Sequence, residues 1–408
     1  MKLLFLSSLY APDIGGGAEI ILQRTVEGLR ARGHQVVVLA TGARAGLHRE
    51  EVNQVRVYRA GLHNFYWHFS PRRRSRLARL AWHLRDRDNP GMRRPLRRVI
   101  ELEQPDLVVC HNLTGWSVSA WDEISRCDLP IVQVLHDLYL LCPSSTMFKK
   151  GRDCRQPCGL CSRFRQGHAE RSMQVDAVVG VSRFMLERLL GQGYFQGAHS
   201  QVIYNASPYA PMPEPVGPAS PPAPLRFGYL GTLSEPKGVG WMIEQFKRLP
   251  FDASLAIAGR GQEDDERGFR AMAADDPRIR FVGYQQPRDF YAGIDVALVP
   301  SMWNEPFGMV AVEACAHSRP VIASRMGGLT EIIQDSLNGL LCSPDDPDSL
   351  GLAMLRLHQQ PDLLARLAAQ ARRSVAGLLD LELMLDSYER VFTHTLQTRS
   401  AAPRPNPA

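Results

Sequence analysis

Short apolar runs alternate with amphipathic helical patterns along nearly the whole chain, and this alternation constrains the fold more than any other feature. In the first half, the apolar runs cover residues 3–8, 35–40, 54–59, 106–110, 130–135 and 176–181. In the second half, they cover residues 225–230, 253–258, 279–283, 295–300 and 320–323. Continuous apolar strands joined by helices indicate a parallel sheet that is covered on both faces. The sequence therefore predicts an α/β protein.

A proline-rich stretch divides this pattern into two parts. Residues 207–224 hold eight prolines in 18 positions, which is typical of a stiff, extended linker. We expect a doubly wound N-terminal domain over 1–206 and a second one over 225–380, which face each other across a cleft. A helix over 381–397, able to return to the N-terminal domain, and a disordered tail over 398–408 complete the prediction. Ligands of such folds bind at the carboxyl ends of the strands.

Composition excludes several classes of protein. The 408 residues are 44% hydrophobic and 22% charged, which excludes a disordered or fibrous chain and supplies enough apolar surface for packed cores. No run approaches the ~18 apolar residues that cross a bilayer. Residues 1–10 resemble a secretion signal, but three glycines follow them instead of a small-residue cleavage site, so we interpret them as a buried strand. We expect a cytoplasmic location.

Three consecutive glycines, Gly15, Gly16 and Gly17, follow the first strand and precede the first helix. Glycines at this position let backbone amides approach a phosphate or a sugar hydroxyl, and the helix N-terminus adds positive potential. The alternative is a tight turn that requires positive φ. The triplet alone does not decide between these interpretations.

The strongest signal lies between residues 301 and 333. The strand over 295–300 ends in a loop that carries Glu305, and Gly308 opens a helix that contains Glu313. Two carboxylates on either side of a helix N-terminus suit an elongated anionic ligand with hydroxyls at both ends, such as a nucleotide sugar. Paired glutamates are also common on solvated loops and helix faces.

This segment resembles the signature of the family-4 retaining glycosyltransferases of the GT-B fold, E-x-F-G-x-x-x-x-E-A followed by G-G-x-x-E. The resemblance extends to residues 338–345, the glycine triplet, His136, Asn205 and the segment 231–238. It implies two Rossmann-like domains and a hexosyltransferase that uses a UDP- or GDP-sugar. The implied acceptor is a saccharide or lipid-linked saccharide, as in the synthesis of bacterial surface polysaccharide or glycolipid. Retention would follow from front-face attack, with the departing diphosphate taking the acceptor proton.

The resemblance also implies roles for single residues. Glu305 would bind hydroxyls of the donor sugar, and Glu313 would bind the ribose hydroxyls. Lys237 would neutralise the diphosphate, and His136 would lie beside the transferred sugar. Further donor contacts would come from Gly16, Gly17, Phe307, Gly308 and Met309. Without the resemblance, Lys237 is typical of an exposed turn and His136 of a structural hydrogen bond. No catalytic cofactor is expected, because Lys237 and the helix dipole would replace a divalent cation.

One position departs from the family pattern. Thr232 stands where these enzymes usually carry an arginine shortly before the lysine. Either another cation replaces it, with Arg260 and Arg325 as candidates, or phosphate binding is weaker. A non-catalytic partner subunit is therefore one alternative to a transferase. A nucleotide-sugar 2-epimerase, which shares the two-domain fold, is another.

Four of the eight cysteines lie in an insertion over residues 142–161, and they are Cys142, Cys154, Cys158 and Cys161. The last two form a C-x-x-C pair, and four thiolates would suit a structural zinc ion. Against this, the first two are twelve positions apart and do not form a second C-x-x-C pair, and buried free cysteines are common.

Residues 72–98 hold eleven arginines against two acidic residues, Asp86 and Asp88. Leucines and tryptophans interleave the arginines, which suits docking on an anionic membrane that presents a lipid-linked acceptor. We assign this role first to Arg72, Arg73, Arg74 and Arg76; a solvated helix face is the alternative. No nucleic-acid-binding motif accompanies the arginines. The D-x-D spacing of the two aspartates is interpreted as solvated charge and not as a metal site.

Overall fold

The computed structural model describes residues 1–70, 74–209 and 224–401. The described residues form two compact units. The first unit comprises Met1–Met147, Arg155–Ala206 and the last helix, Leu381–Ala401. The second unit comprises Phe148–Cys154 and Ser207–Asp380.

Each of the eleven apolar runs of the sequence overlaps a strand, and five further strands of the described residues lie outside these runs. In chain order they are β1 (Lys2–Ser7), β2 (Gln35–Gly42), β3 (Leu47–Val52), β4 (Val55–Gly61), β5 (Leu107–Cys110), β6 (Ile131–Leu135), β7 (Phe148–Lys149), β8 (Arg152–Asp153), β9 (Ala177–Gly180), β10 (His199–Val202), β11 (Leu225–Leu230), β12 (Ala253–Ala258), β13 (Ile279–Gly283), β14 (Val296–Val299), β15 (Val321–Ser324) and β16 (Gly339–Cys342).

The helices cover the intervening segments. In chain order they are α1 (Gly17–Ala31), α2 (Arg76–Arg87), α3 (Arg93–Glu103), α4 (Ser119–Arg126), α5 (Gly159–Phe164), α6 (His168–Arg171), α7 (Arg183–Leu190), α8 (Val239–Lys247), α9 (Glu263–Ala273), α10 (Pro287–Ala292), α11 (Met309–Ala316), α12 (Leu329–Ile332), α13 (Ser349–Gln359), α14 (Pro361–Ser374) and α15 (Leu381–Ala401). Short 3₁₀ helices lie at Pro90–Met92, Ser172–Gln174, Glu235–Lys237 and Ala376–Leu378.

The first unit is built on an eight-stranded sheet in the order β10-β9-β6-β5-β1-β2-β4-β3. All its pairings are parallel except that of β3 with β4. The sequence does not predict β3 as a strand, because three of its six residues LHREEV are charged and exposed and none is buried. β3 is an edge strand that pairs with β4. A turn at Asn53 and Gln54, both with positive φ, connects the two strands and sets their register.

The second unit is built on an all-parallel six-stranded sheet in the order β13-β12-β11-β14-β15-β16. Buried apolar residues of β11 and β12 pack with helix α8, for example Phe227, Leu255, Ile243 and Phe246. Helices α13 and α14 contribute Leu350 and further apolar side chains to the same core. The expected α/β class with parallel sheets is therefore confirmed.

The last helix packs in the first unit and not in the unit that precedes it in the chain. Directly after α1, Arg32 pairs with Glu382, Asp386 and Glu389 of α15. Phe392 lies with its ring centroid 6.5 Å from that of Phe5 on β1. Apolar burial together with this ion-pair cluster holds α15 against α1.

Helix α15 is four residues longer than predicted, so the expectation of a disordered tail from residue 398 is wrong for residues 398–401. Arg399 donates hydrogen bonds to Asp128 and to Asp176, which ties the final turn to the first unit. Residues 402–408 and linker residues 210–223 lie outside the described residues.

Candidate active site

Glu305 lies in the loop after β14, at the carboxyl edge of the six-stranded sheet. Three donors converge on its Oε1 atom, namely Lys237 Nζ at 2.7 Å, Ser301 Oγ at 2.6 Å and Trp303 Nε1 at 3.0 Å. The residue is only 6% exposed. Its Oε2 atom accepts no hydrogen bond from any residue that the structure describes. Glu305 is thus held through one of its two carboxylate oxygens.

Lys237 ends a short 3₁₀ helix, and close backbone packing sets its position. Gly238, with φ of +72°, follows it, and a Cβ atom there would lie 1.8 Å from the carbonyl oxygen of Pro300. The Nζ atom also lies 5.1 Å from the ring centroid of Trp303. The sequence expectation placed Lys237 at the diphosphate and Glu305 at the sugar; in this structure the two form an ion pair.

The G-G step of the motif has a packing role. Gly328 donates its backbone N–H to the carbonyl oxygen of Glu305 over 2.8 Å. A Cβ atom on Gly327 would lie 2.3 Å from that same oxygen. Only glycine lets the two backbone segments approach each other this closely, so Gly327 and Gly328 fix the position of the loop that carries Glu305.

Glu313 lies on α11, which begins at Met309 directly after Gly308. Gly308 has φ of +110°, and a Cβ atom there would meet Leu329 Cδ2 at 2.5 Å. The Oε2 atom of Glu313 lies 3.5 Å from the hydroxyl oxygen of Tyr291. Phe307 is buried and packs rather than facing solvent. The structure thus places Glu305 before this helix and Glu313 within it.

The segment of Thr232 contacts the segment of Arg260 backbone to backbone. Leu233 donates its N–H to the carbonyl oxygen of Arg260 over 3.0 Å. Arg325 instead follows β15, where its N–H donates to the carbonyl oxygen of Cys342. In the described part of the chain, neither arginine side chain forms an ion pair or a hydrogen bond. Both remain candidates for the cation that Thr232 does not supply.

In the first unit, polar groups follow three neighbouring parallel strands. The glycine triplet follows β1, His111 follows β5 and His136 follows β6. The Nδ1 atom of His111 lies 2.7 Å from the Nε2 atom of His136. Burial lowers the pKa of His136 to about 4, so its imidazole is neutral at pH 7.

The glycine triplet is exposed and none of its residues has positive φ; Gly16 has φ of −177°. The tight-turn interpretation is therefore wrong. A Cβ atom on Gly17 would meet nothing within 4 Å, and one on Gly16 would approach only Glu19 Oε2, at 3.9 Å. Open space in front of these backbones is compatible with a ligand.

Two carboxyl groups that no sequence motif singles out, those of Glu19 and Asp137, also border this edge. Glu19 accepts hydrogen bonds from Gly16 N at 2.8 Å and from Asn112 Nδ2 at 3.3 Å, while burial raises its pKa. Burial raises the pKa of Asp137 to about 6. Position in the sequence could have pointed to this edge of the sheet, because His111 and Asn112 directly follow β5 just as His136 and Asp137 directly follow β6.

The two units carry different parts of a known pattern. Residues 16–206 match the family of glycosyl transferase 4-like domains, and residues 224–360 match the glycosyl transferases group 1. The chain is a group 1 glycosyltransferase. This confirms the family and the enzyme class that the motifs indicated.

This glycosyltransferase is 27% identical over 333 residues to an uncharacterized 42.6 kDa protein in the cps region of Klebsiella pneumoniae. That alignment covers 81% of this chain and 87% of the relative. The chain is 29% identical over 433 residues to glycogen synthase of Mycobacterium tuberculosis, which covers 99% and 95%. Anabaena HepE, solved in complex with UDP and glucose, superposes with a TM-score of 0.71 at 18% identity, covering 97% of this chain and 100% of that one. The last likeness supports the GT-B fold alone.

The arginine-rich stretch of the glycosyltransferase is divided between two helices. On α3, Arg93 pairs with Asp122 and Arg97 with Glu123, so these arginines are structural. On α2, the interior face holds Trp82 and Asp86. Arg74 lies over the ring of Tyr66 at 4.7 Å, whereas Arg72 and Arg73 lie outside the described residues.

The outer face of α2 carries an apolar stripe. Leu77, Leu80 and Leu84 are 78%, 43% and 57% exposed. Their spacing of three and four residues puts them on one side of the helix. The described residues contain no helix that is long and apolar enough to span a membrane.

The interpretation of Asp86 as solvated charge is wrong. Its side chain is fully buried, and it accepts hydrogen bonds from Gly115 N at 2.7 Å and from the hydroxyl of Tyr139 at 2.8 Å. Burial raises its pKa to about 7, although the nearby Arg165 opposes this. The D-x-D spacing concealed this because α2 turns Asp86 inward while Asp88 remains exposed.

Three of the four clustered cysteines are neighbours in the first unit. The Sγ atoms of Cys158 and Cys161 are 3.5 Å apart, and those of Cys161 and Cys142 are 3.6 Å apart. Sulfurs around tetrahedral zinc lie about 3.8 Å apart. No group of three or more His, Cys, Asp or Glu side chains within residues 1–70, 74–209 and 224–401 is already arranged around a metal position. Cys154 is grouped with the second unit. Zinc remains a prediction.

Proposed function

We propose that this glycosyltransferase moves a hexose-like unit, with retention of configuration, from a UDP- or GDP-sugar to a saccharide or lipid-linked saccharide. The observation that carries the proposal is the adjacency of Lys237 and Glu305, which offers a cation for a diphosphate beside an acceptor for a sugar hydroxyl. The complex of HepE with UDP and glucose makes a UDP-hexose the first donor to test. The likeness to a glycogen synthase supports a saccharide acceptor.

Donor binding would exchange partners at this pair. Lys237 leaves Glu305 for the diphosphate, where negative charge grows as the glycosidic bond breaks, and a positioned cation stabilises that charge. Glu305 accepts a hydrogen bond from a sugar hydroxyl through Oε2, and Glu313 accepts from the ribose. The acceptor hydroxyl attacks C1 on the face that the diphosphate leaves, and a departing phosphate oxygen takes its proton. No side chain acts as a nucleophile.

The test is turnover by the purified full chain with UDP- and GDP-hexoses and a panel of saccharide acceptors. We expect nucleoside diphosphate to be released only when an acceptor is present, and an α-linked product from an α-linked donor. Glu305→Gln should lower turnover by about 10²-fold or more. The matched control is Glu263→Gln on α9, an exposed residue that should leave turnover unchanged.

Other outcomes would identify the alternatives. Interconversion of the nucleotide sugar without an acceptor would assign the chain to the epimerases. Absence of both donor binding and donor hydrolysis would indicate a partner subunit. An inverted product would contradict retention while leaving the transferase assignment in place.

We further propose that α2 docks the enzyme on an anionic membrane surface that presents a lipid-linked acceptor. The exposed leucines lie among Arg76, Arg79 and Arg85, and the only acidic residue within α2, Asp86, is buried. Apolar residues flanked by cations suit the interface of an anionic bilayer, where each basic residue contributes ~1 kcal/mol.

Liposome co-sedimentation tests this proposal. We expect binding to vesicles with anionic lipid, weakening as salt rises. The double variant Leu77→Ser/Leu84→Ser and the double variant Arg76→Ser/Arg79→Ser should each bind more weakly. The matched control, Arg94→Ser/Arg98→Ser on α3, should bind nearly as the parent does. Equal binding of all variants, or equal binding to neutral vesicles, would reject docking through α2.

A further inference from the structure

Two buried histidines of the first unit share a single hydrogen bond. Their imidazole rings lie edge to edge and nearly coplanar, with centroids 5.0 Å apart and planes inclined by 20°. The 2.7 Å contact joins His111 Nδ1 to His136 Nε2, and the two residues are 3% and 8% exposed. One proton lies between the two nitrogens, so one ring donates and the other accepts.

Both rings are neutral near pH 7. Burial lowers the pKa of His111 well below its usual value, and the neighbouring His136 lowers it further. Burial lowers the pKa of His136 to about 4. A neutral imidazole carries a proton on one nitrogen only. The direction of the shared bond therefore fixes the tautomer of both rings.

The surroundings of His111 decide that direction. Its other nitrogen, Nε2, is buried without a hydrogen-bond partner among the described residues. If His111 accepted the shared proton, it would carry N–H at this position, and a buried N–H without an acceptor is costlier than an unused lone pair. His111 therefore carries its proton on Nδ1 and donates it to His136 Nε2.

Backbone and side-chain contacts hold His111 in this place. Its N–H donates to the carbonyl oxygen of Leu6 at 2.8 Å, and its carbonyl oxygen accepts from Gln133 Nε2 at 2.8 Å. Gln133 Oε1 in turn accepts from Trp121 Nε1 at 3.0 Å. The ring of His111 is thereby fixed relative to the sheet edge.

We propose that His111 is a positioning residue that locks His136 as the Nδ1–H tautomer, and so makes His136 a neutral hydrogen-bond donor to an oxygen of the sugar. The contact with a sugar rests on the proposed function; the locked tautomer does not. The Nδ1 atom of His136 bonds to no described residue, so its proton is available to a ligand. A hydroxyl oxygen can accept it.

The first test is the ¹⁵N NMR spectrum of the full chain labelled at histidine, recorded at pH 7 without substrate. We expect His136 to show a protonated, pyrrole-type Nδ1 and an unprotonated, pyridine-type Nε2. His136→Gln assigns the resonances by their disappearance. A protonated Nε2 on His136 in the parent protein would overturn the proposal.

Two substitutions at His111 separate positioning from packing. In His111→Asn, the side-chain amide can replace the Nδ1–H donor, so the tautomer of His136 and kcat/KM should stay near the parent values. In His111→Asp, an acceptor replaces the donor at the same place, so His136 should carry a proton on Nε2 and kcat/KM should fall about tenfold, as for the loss of one hydrogen bond. An unprotonated Nε2 on His136 in a folded His111→Asp variant would also overturn the proposal.

These readouts stay informative if a variant fails to fold. The parent spectrum and the His111→Asn spectrum decide the tautomer without His111→Asp. If the tautomer is as expected but the chain transfers no sugar, the proposed function fails and the positioning role of His111 stands.

Discussion

At the scale of single residues, Lys237 pairs with Glu305 over 2.7 Å and helps to hold its carboxylate in place. Because its partner charge would change from a carboxylate to a diphosphate, its greatest contribution should come as the leaving group develops charge. We expect Lys237→Ala to lower kcat/KM by ~10²–10³-fold while raising the Kd of UDP by far less. Titration calorimetry and initial rates measure the two effects. Lys149→Ala, which removes an exposed lysine on β7, is the control; an equal loss in Kd and kcat/KM would make Lys237 a uniform binder.

Asp86 predicts a dependence of stability on pH. Its pKa is about 7 in the folded chain against 3.8 as a free side chain. Folding therefore favours the protonated carboxyl, and this stabilisation is complete below pH 3.8 and is lost as the pH rises through 7. Relative to Asp86→Asn, the parent should lose about 3 kcal/mol of unfolding free energy between pH 5 and pH 8. Chemical denaturation at both pH values measures this, and parallel profiles for the two proteins would contradict it.

The sequence predicted the site residues of the second unit better than those of the first unit. Glu305, Gly308 and Glu313 share one short segment, so their order along the chain already fixes most of their geometry. The roles of His111 and Asp86 were not predicted, because they depend on partners that are distant in sequence. These partners, His136 and Tyr139, come near only in the folded chain.

At the scale of elements, α15 completes the core of the first unit. Phe392 is fully buried beside Phe5, and Leu385 approaches the backbone of Gly28 on α1. We expect Phe392→Ala to cost ~3–5 kcal/mol of unfolding free energy, as buried phenylalanines generally do. Leu352→Ala on α13, where the side chain is 58% exposed, is the control and should cost little. A negligible effect of Phe392→Ala would show that the first unit is stable without α15.

The cysteine insertion yields a second prediction at this scale. If zinc links Cys142, Cys158 and Cys161, the purified chain should contain one zinc per molecule, and Cys158→Ser/Cys161→Ser should abolish it. Elemental analysis by mass spectrometry measures this, with Cys127→Ser, outside the insertion, as the control. Absence of zinc from the parent protein, or retention of zinc by the double variant, would contradict the prediction.

Apolar runs with continuous burial, such as β1 and β11, were predictable because burial on both faces demands apolar residues throughout. The strands β3 and β10 were not, because they lie at sheet edges and none of their residues is buried. The four extra residues of α15 were missed for a similar reason, since they are held by ion pairs of Arg399 and not by an apolar pattern.

At the scale of the whole molecule, the two units have separate cores, so heating should unfold them in distinguishable steps. The proposed contacts of UDP with Lys237 and Glu313 both belong to the second unit. UDP at 100 times its Kd should therefore stabilise that unit by ~2.7 kcal/mol and move mainly one transition. Scanning calorimetry with and without UDP measures this; Glu313→Ala should abolish the shift, and a shift of both transitions alike would contradict the assignment.

The membership of α15 in the first unit also affects how the chain is made. Residues 1–206 leave the ribosome long before Leu381–Ala401, and at about 5–20 residues per second the delay is roughly 10–40 seconds. Until then, the apolar surface that α15 covers on β1 and α1 faces solvent or a chaperone. The second unit is nearly continuous in sequence and lacks this delay. During synthesis, the later part of the chain can therefore finish folding before the earlier part.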